Sequence, residues 1–250
     1  MSSLSDEERE IYSWQTRIAG FGEAGQQKLK GASVLISRCG GLGGVVAYEL
    51  AAAGVGKLII AHAGNLRPSD LNRQLLQTHD QIGKSRIESI KRRLNELNPR
   101  LEIIGVNENV SDENADRLVS QADVVVDAAP LFNERFAFNR AAVRQRKPMV
   151  ECAVYSMDVQ VTTIIPGQTP CLQCLVSEIP PDWKRQFPVL GAVSGTAGSL
   201  GAVEVVKLIT GVGKPLAGVR LVMHLDTPAV HHLKLVRDPN CPICAGLFRP

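Results

Sequence analysis

The chain has 250 residues, 44% of them hydrophobic and 21% charged, enough to bury a full core in one large folding unit or two small ones. A formal net charge of only +3, with Lys and Arg scattered, lacks the electrostatic footprint of a nucleic-acid binder, so no nucleic-acid partner is expected. The longest apolar stretch, residues 45–61, is broken by Glu49 and Lys57, and the acidic start MSSLSDEERE is unlike a signal peptide, so a globular cytoplasmic protein with no membrane span is expected.

In chain order, Ser5 followed by Glu8 is a capping-box signal for a short helix leading to the glycines of AGFGEAG. ASVLIS is a short apolar strand, GVVAYELAAAG a helix closed by Gly54, and KLIIAHA a second buried strand. Over 84–97, Ile87, Ile90, Leu94 and Leu97 share one helical face, Glu88 and Arg92 are spaced to pair on the other, and Asn98-Pro99 ends the helix. LEIIGVNE then reads as a strand, SDENADRLVSQ as a short capped helix and ADVVVDAA as a fully buried strand. Strand and helix thus alternate in the rhythm of a doubly wound α/β fold with a mostly parallel sheet, whose ligands sit at the carboxyl ends of the strands.

The second half changes character. MVECAVYSMDVQVTTIIP supplies one or two longer strands and VSGTAGSLGAVEVVKLITG a helix entered through small residues. RLVMHLD and AVHHLKLV form a hairpin around Asp226-Thr227-Pro228, an antiparallel extension of the sheet.

Four of the six cysteines fall in two Cys-x-x-Cys pairs, Cys171 with Cys174 and Cys241 with Cys244. Each gap lets both thiolates turn towards one tetrahedral ion, and two pairs make the closed shell of a structural zinc that ties the end of the chain to its middle. The competing readings are unrelated buried cysteines or a redox Cys-x-x-Cys. A closed shell leaves no position for water, which argues against metal-assisted hydrolysis. Cys39 and Cys152 read as small core residues.

CGGLGG after VLIS is a glycine loop between a strand and a helix, where backbone N–H groups and the positive helix end can receive phosphate. A dinucleotide fold would place an acidic residue at the end of the second strand, but His62 stands there.

Taken with DLNRQ, IGKSR, PCLQC, GTAGSLGAVEVVKLITG and CPIC, the stretch from YSWQTRIAGFGEAG to LNELNP resembles the ThiF/MoeB/HesA family, bacterial relatives of the ubiquitin-activating enzymes. The resemblance spans nearly the whole chain. It implies one Rossmann-like domain over 1–250, with a nucleotide-binding half at 1–150 and a zinc-bearing half at 151–250. It further implies a homodimer that uses Mg-ATP to adenylate the C-terminal carboxylate of a small ubiquitin-like or sulfur-carrier protein, or a small acid. The four-cysteine zinc belongs to the same resemblance.

Carried over residue by residue, Arg73, Gln74 and Lys84 match phosphate-contacting positions, Arg73 and Lys84 as catalytic and Gln74 as nucleotide-binding; Arg86, where a lysine is usual, keeps the charge, and Gly40, Gly41 and Gly43 match the nucleotide-binding loop. Several positions depart from the family pattern. Arg38 replaces the first loop glycine, where it would crowd the nucleotide or reach a phosphate, and His62 and Gly64 replace two acidic residues that hold the ribose. Asp70 replaces an asparagine, Pro130 and Leu131 replace the Asp-Asn pair that holds Mg²⁺, and Trp14 replaces an arginine that reaches across the dimer, with Arg17 nearby. The segment 175–190 has no cysteine, so no thioester is expected. Two readings follow: an adenylyltransferase that retains activity, or a non-catalytic relative serving as a binding module or silent subunit. A third is a pocket for a different ligand, faced by His62 and Cys39.

Overall fold

The computed structural model describes residues 3–248. Its strands are β1 (Ser33–Ser37), β2 (Lys57–Ala61), β3 (Glu102–Val106), β4 (Val124–Asp127), β5 (Met149–Tyr155), β6 (Asp158–Ile164), β7 (Val219–His224) and β8 (Ala229–Lys234). They form one sheet in the order β3-β2-β1-β4-β5-β6-β7-β8. The first five run parallel and the last three are added antiparallel, as the sequence predicts.

The helices are α1 (Asp6–Ile11), α2 (Gly22–Gly31), α3 (Gly41–Ala53), α4 (Arg86–Leu97), α5 (Ala115–Val119), α6 (Phe132–Arg144), α7 (Leu172–Leu175) and α8 (Gly191–Thr210). Strand alternation assigns them to two faces. Val34, Ile36, Leu58, Ile60, Val124 and Val126 point to a core built with α2, α3, α4 and α8. Leu35, Ile59, Val125 and Met149 point to a second core with α5, α6 and the cysteine cluster. Buried on both sides, the parallel strands read as unbroken apolar runs rather than as alternation.

The capping box forms as expected: the Ser5 hydroxyl accepts from the Glu8 backbone N–H at 3.1 Å, and Glu8 accepts from the Ser5 N–H at 2.7 Å. Three helices have no counterpart in the sequence reading: α2, α6 and the four-residue α7 within the first cysteine pair. In α2 the three glycines of GEAGQQKLKG dilute the apolar period, and helicity follows from burying Leu29 in the first core. The helix α6 sits after a Pro-Leu turn, and its buried face is mixed with charge. In α4, Ile87, Ile90 and Leu94 are buried, but Leu97 in the last turn is 38% exposed. Arg92 pairs there with Asp80 and Glu96, at 3.7 and 3.8 Å, rather than with Glu88.

The helix α3 lies close on β1 because position 43 has no side chain. A Cβ there would come within 2.5 Å of the Arg38 carbonyl oxygen and 3.1 Å of Ile36 and Ala128. Gly43→Ala should therefore destabilise the protein by about 1–3 kcal/mol, read as a lower urea midpoint at unchanged slope.

Candidate functional site

In the strand order, β1 lies between β2 and β4, so the chain leaves neighbouring carboxyl ends in opposite directions and opens a crevice there. A cavity of about 650 Å³ occupies it. Gly40, the N-cap of the 13-residue α3, and Gly41 form one wall, presenting the positive helix end to the cavity. His62 from the end of β2, with Arg73 and Gln74 from the following loop, forms another.

The residue in the first loop-glycine position has a backbone that favours glycine. Arg38 has φ +64°, in the left-handed region. Its buried side chain turns to α6, where Nε donates to Glu134 Oε2 at 2.7 Å and Nη2 to Oε1 at 2.5 Å. This forked pair takes up the guanidinium that the sequence offered to a phosphate.

Asp70 is bound in the same manner. Its Oδ2 accepts from Arg86 Nη2 at 2.7 Å and from the Arg67 backbone N–H at 3.0 Å, and Arg73 Nη2 lies 3.5 Å from Oδ1. Burial alone would raise the Asp70 pKa, but these donors hold it below the usual carboxylate range. Arg73 also donates to the Ser69 carbonyl and to Asn72 Oδ1, both at 2.9 Å.

His62 Nδ1 and Gln74 Oε1 are buried in the cavity wall without hydrogen-bond partners. An unpaired buried polar atom is costly, and both residues line the cavity. Burial, with Arg38 and Arg86 nearby, pushes the His62 pKa down to about 3, so the ring is neutral near pH 7.

At the end of β4, Pro130 and Leu131 offer no side-chain oxygen. Asp127 is fully buried behind them, accepting from Arg135 Nε at 2.8 Å, and Arg135 also pairs with Glu151. The positions that would hold magnesium in the family therefore do not fit a hard cation that prefers carboxylate and water oxygens. The Pro130 carbonyl instead accepts from Trp183 Nε1 at 2.8 Å. Trp183 packs with Phe132, Tyr155 and Phe187, closing the segment 175–190 over the cavity.

Among the residues singled out in the sequence, Arg38, Gly40, Gly41, His62, Arg73, Gln74 and Arg86 line the cavity. Gly43 serves the helix–strand approach, and Lys84 is exposed and outside the lining, its carbonyl accepting from the Leu66 N–H. Cys39 is buried away from the cavity, its Sγ 3.6 Å from the Gly43 carbonyl, whereas Cys152 lies in the wall. Glu134, Arg67, Trp183 and Arg185 are additions from the structure. The tryptophan and arginine in the proline-bounded PPDWKRQFP were the available signal for the last two.

In the second core, Cys171 and Cys174 flank the first turn of α7 and meet Cys241 and Cys244, with all four sulfurs within 4.8 Å of one another. The Cys171–Cys241 and Cys174–Cys244 sulfur separations are 3.7 and 3.5 Å. Tetrahedral thiolates at a metal–sulfur distance of about 2.3 Å would stand roughly 3.8 Å apart, so the cluster can hold a metal ion. Burial pushes the Cys171 thiol up to about 11. The backbone N–H groups of Cys244 and Ile243 outweigh burial at Cys241 and hold that thiol below its usual range.

A Rossmann-like sheet with a helix N-terminus and basic loop at its crevice, backed by a four-cysteine cluster, defines an α/β protein whose crevice suits an anionic ligand. The ThiF family profile matches residues 12–243, and the chain belongs to that family. It is 48% identical over 245 residues to "Protein HesA, vegetative" of Trichormus variabilis, spanning 98% of this chain and 92% of that one. It is 35% identical to the sulfur carrier protein adenylyltransferase of Thermus thermophilus over 95% of this chain and 91% of that one. Among solved structures, E. coli MccB with MccA-N7isoASN superposes with a TM-score of 0.84 at 27% identity, covering 96% of this chain and 75% of that one. The chain is thus a ThiF-family, adenylyltransferase-like protein.

Glu134→Leu should cost about 3–5 kcal/mol, because it leaves Arg38 buried and unpaired. Adding Arg38→Gly removes that charge and relieves a left-handed backbone worth about 1–2 kcal/mol, so the double variant should recover most of the loss in urea denaturation. A double variant no more stable than the single one would overturn this account of the pair.

Because His62 resists protonation when folded, the unfolded chain binds the extra proton between pH 6.5 and about 3, and stability falls as pH drops through that window. His62→Gln should flatten the acid limb of the stability profile by up to about 1.4 kcal/mol per pH unit.

Proposed function

We propose that this protein binds ATP in the crevice cavity and adenylates a carboxylate. The observation that carries the reading is the convergence of the α3 N-terminus, Arg73 and Gln74 on one cavity of about 650 Å³ at the parallel strand ends. A carboxylate oxygen attacks the α-phosphorus, the bond to the bridging oxygen breaks, and pyrophosphate leaves with the displaced electron pair. Arg73 and the helix end neutralise the charge that moves onto the leaving group. Neutral His62, with an unpaired Nδ1, stands where the family uses an acidic group to hold the ribose, and Gln74 lines the same cavity.

The carboxylate donor in this reading is the C-terminus of a small sulfur-carrier or ubiquitin-like protein, in keeping with the activity named for the Thermus relative. The metal at the four cysteines is zinc, closing a tetrahedral all-sulfur shell with no open position, so its role is to hold the chain together. A homodimer is the working assembly. Trp14, 85% exposed, stands with the exposed Ile11 and Ile18 on the N-terminal segment as an apolar surface for a second copy.

The occupied Asp127 and the Pro130-Leu131 substitution favour a second reading, a silent subunit that binds without catalysis. Carboxylate-dependent exchange of pyrophosphate into ATP separates the two. Exchange should be measurable with a carrier-protein partner and fall about 10²–10³-fold in Arg73→Ala. ATP binding with no exchange for any carboxylate supports the silent subunit. Metal analysis should find zinc in the wild type and its loss in Cys171→Ser combined with Cys244→Ser, with lower thermal stability because metal binding is coupled to folding.

A further inference from the structure

Six arginines line the crevice cavity: Arg38, Arg67, Arg73, Arg86, Arg135 and Arg185. Arg38 is held by Glu134, Arg73 and Arg86 by Asp70, and Arg135 by Asp127 and Glu151. Among the described residues, Arg67 and Arg185 form no ion pair. Both also line a neighbouring recess of about 430 Å³, again with Arg38 and Arg86, so the surplus positive charge is concentrated where the two spaces meet.

The segment that carries Arg185 is fastened on either side of it. Upstream, Trp183 donates to the Pro130 carbonyl at 2.8 Å. Downstream, the Pro188 carbonyl accepts from the Ser156 N–H at 2.7 Å, and Phe187 stacks on Tyr155 with ring centroids 6.2 Å apart. Arg185 therefore hangs over the cavity from a short pinned span, opposite Arg67 in the loop leading to the turn Pro68–Asp70. Burial first, and then the nearby charges of Arg38, Arg86 and Arg67, lower the Arg185 pKa.

We propose that Arg185 and Arg67 form a guanidinium clamp for the polyphosphate of a nucleoside triphosphate, supplying from the protein the positive charge that carboxylate-held magnesium supplies in the family pattern. The triphosphate identity rests on the adenylation reading above; the clamp itself requires only a polyphosphate. A guanidinium keeps its charge at any working pH and forks onto two phosphate oxygens, so two of them supply the same positive charge as one magnesium ion without a metal carboxylate. The loss of the aspartate at position 130 and the anchoring of Trp183 to that same residue's carbonyl are then one change: the position that would hold the ion holds the arginine segment instead.

The test is calorimetric titration of the zinc-loaded protein with tripolyphosphate and with ATP, in EDTA and in Mg²⁺. Tripolyphosphate should bind in EDTA, weaken about tenfold in Arg185→Gln and further in Arg67→Gln/Arg185→Gln, and change less than about twofold in Lys184→Gln. Lys184 is an exposed neighbour outside the cavity lining, so an equal loss in that variant would reduce the effect to general electrostatics and overturn the clamp. No tripolyphosphate binding, or binding indifferent to both arginines, overturns it as well. ATP bound equally by wild type and Arg185→Gln sinks the clamp and leaves the adenylation reading standing. Tripolyphosphate bound through the arginines with ATP rejected supports the clamp and removes that reading.

Discussion

Everything at the crevice depends on the placement of β1 between two parallel neighbours that the chain reaches in opposite directions. Register pairs Ser37 with Ala61 on one side and with Asp127 on the other, so three loops leave one end of the sheet within reach of a single ligand. The loop after β1 brings the helix end, the loop after β2 brings His62 and the Arg73-Gln74 pair, and the loop after β4 brings Pro130. The three loops are far apart in sequence, and the topology gathers them.

On that frame the charge pattern has been rewritten in compensated pairs. An arginine in a glycine's backbone conformation is strained and, buried, would be intolerable without an opposite charge; Glu134 lies opposite it on α6. An aspartate in an asparagine's place would repel a phosphate, yet it is covered by Arg86 and Arg73. These pairs fix side chains more than they stabilise the fold, because desolvation offsets most of the Coulomb gain. Their effect is to cancel charges within the cavity wall and leave Arg67 and Arg185 without an ion-pair partner among the described residues.

Much of the fold was legible because it rests on local chemistry. Apolar runs of four to eight residues bounded by glycine and proline mark β1, β2 and β4, and the period of Ile87, Ile90 and Leu94 marks α4. The cysteine spacing placed the metal cluster because two residues between thiols is itself a geometric statement. What escaped was non-local. Helix α2 is decided by a core it does not encode in its own period, and the Arg38–Glu134 pair joins residues 96 positions apart, so neither leaves a short-range pattern. Arg86 matched a phosphate-contacting position by context, but its partner is a carboxylate that only the folded loop brings within 2.7 Å.

The cysteine cluster packs in the second core and the cavity opens at the strand ends, and one stretch of chain joins them. Cys174 ends the first turn of α7, and α8 begins at Gly191, so 175–190 spans from the cluster to the helix that covers the other face. Both ends are anchored: one by the sulfur shell, the other by α8 packing against α3, where the crevice glycines start. Between them the aromatic group of Trp183, Phe187 and Tyr155 supplies the remaining hold. A segment of this length without regular structure stays over a cavity only if its entropy is restrained at several points. The cysteine cluster thereby holds one end of the segment that presents Arg185 to the crevice.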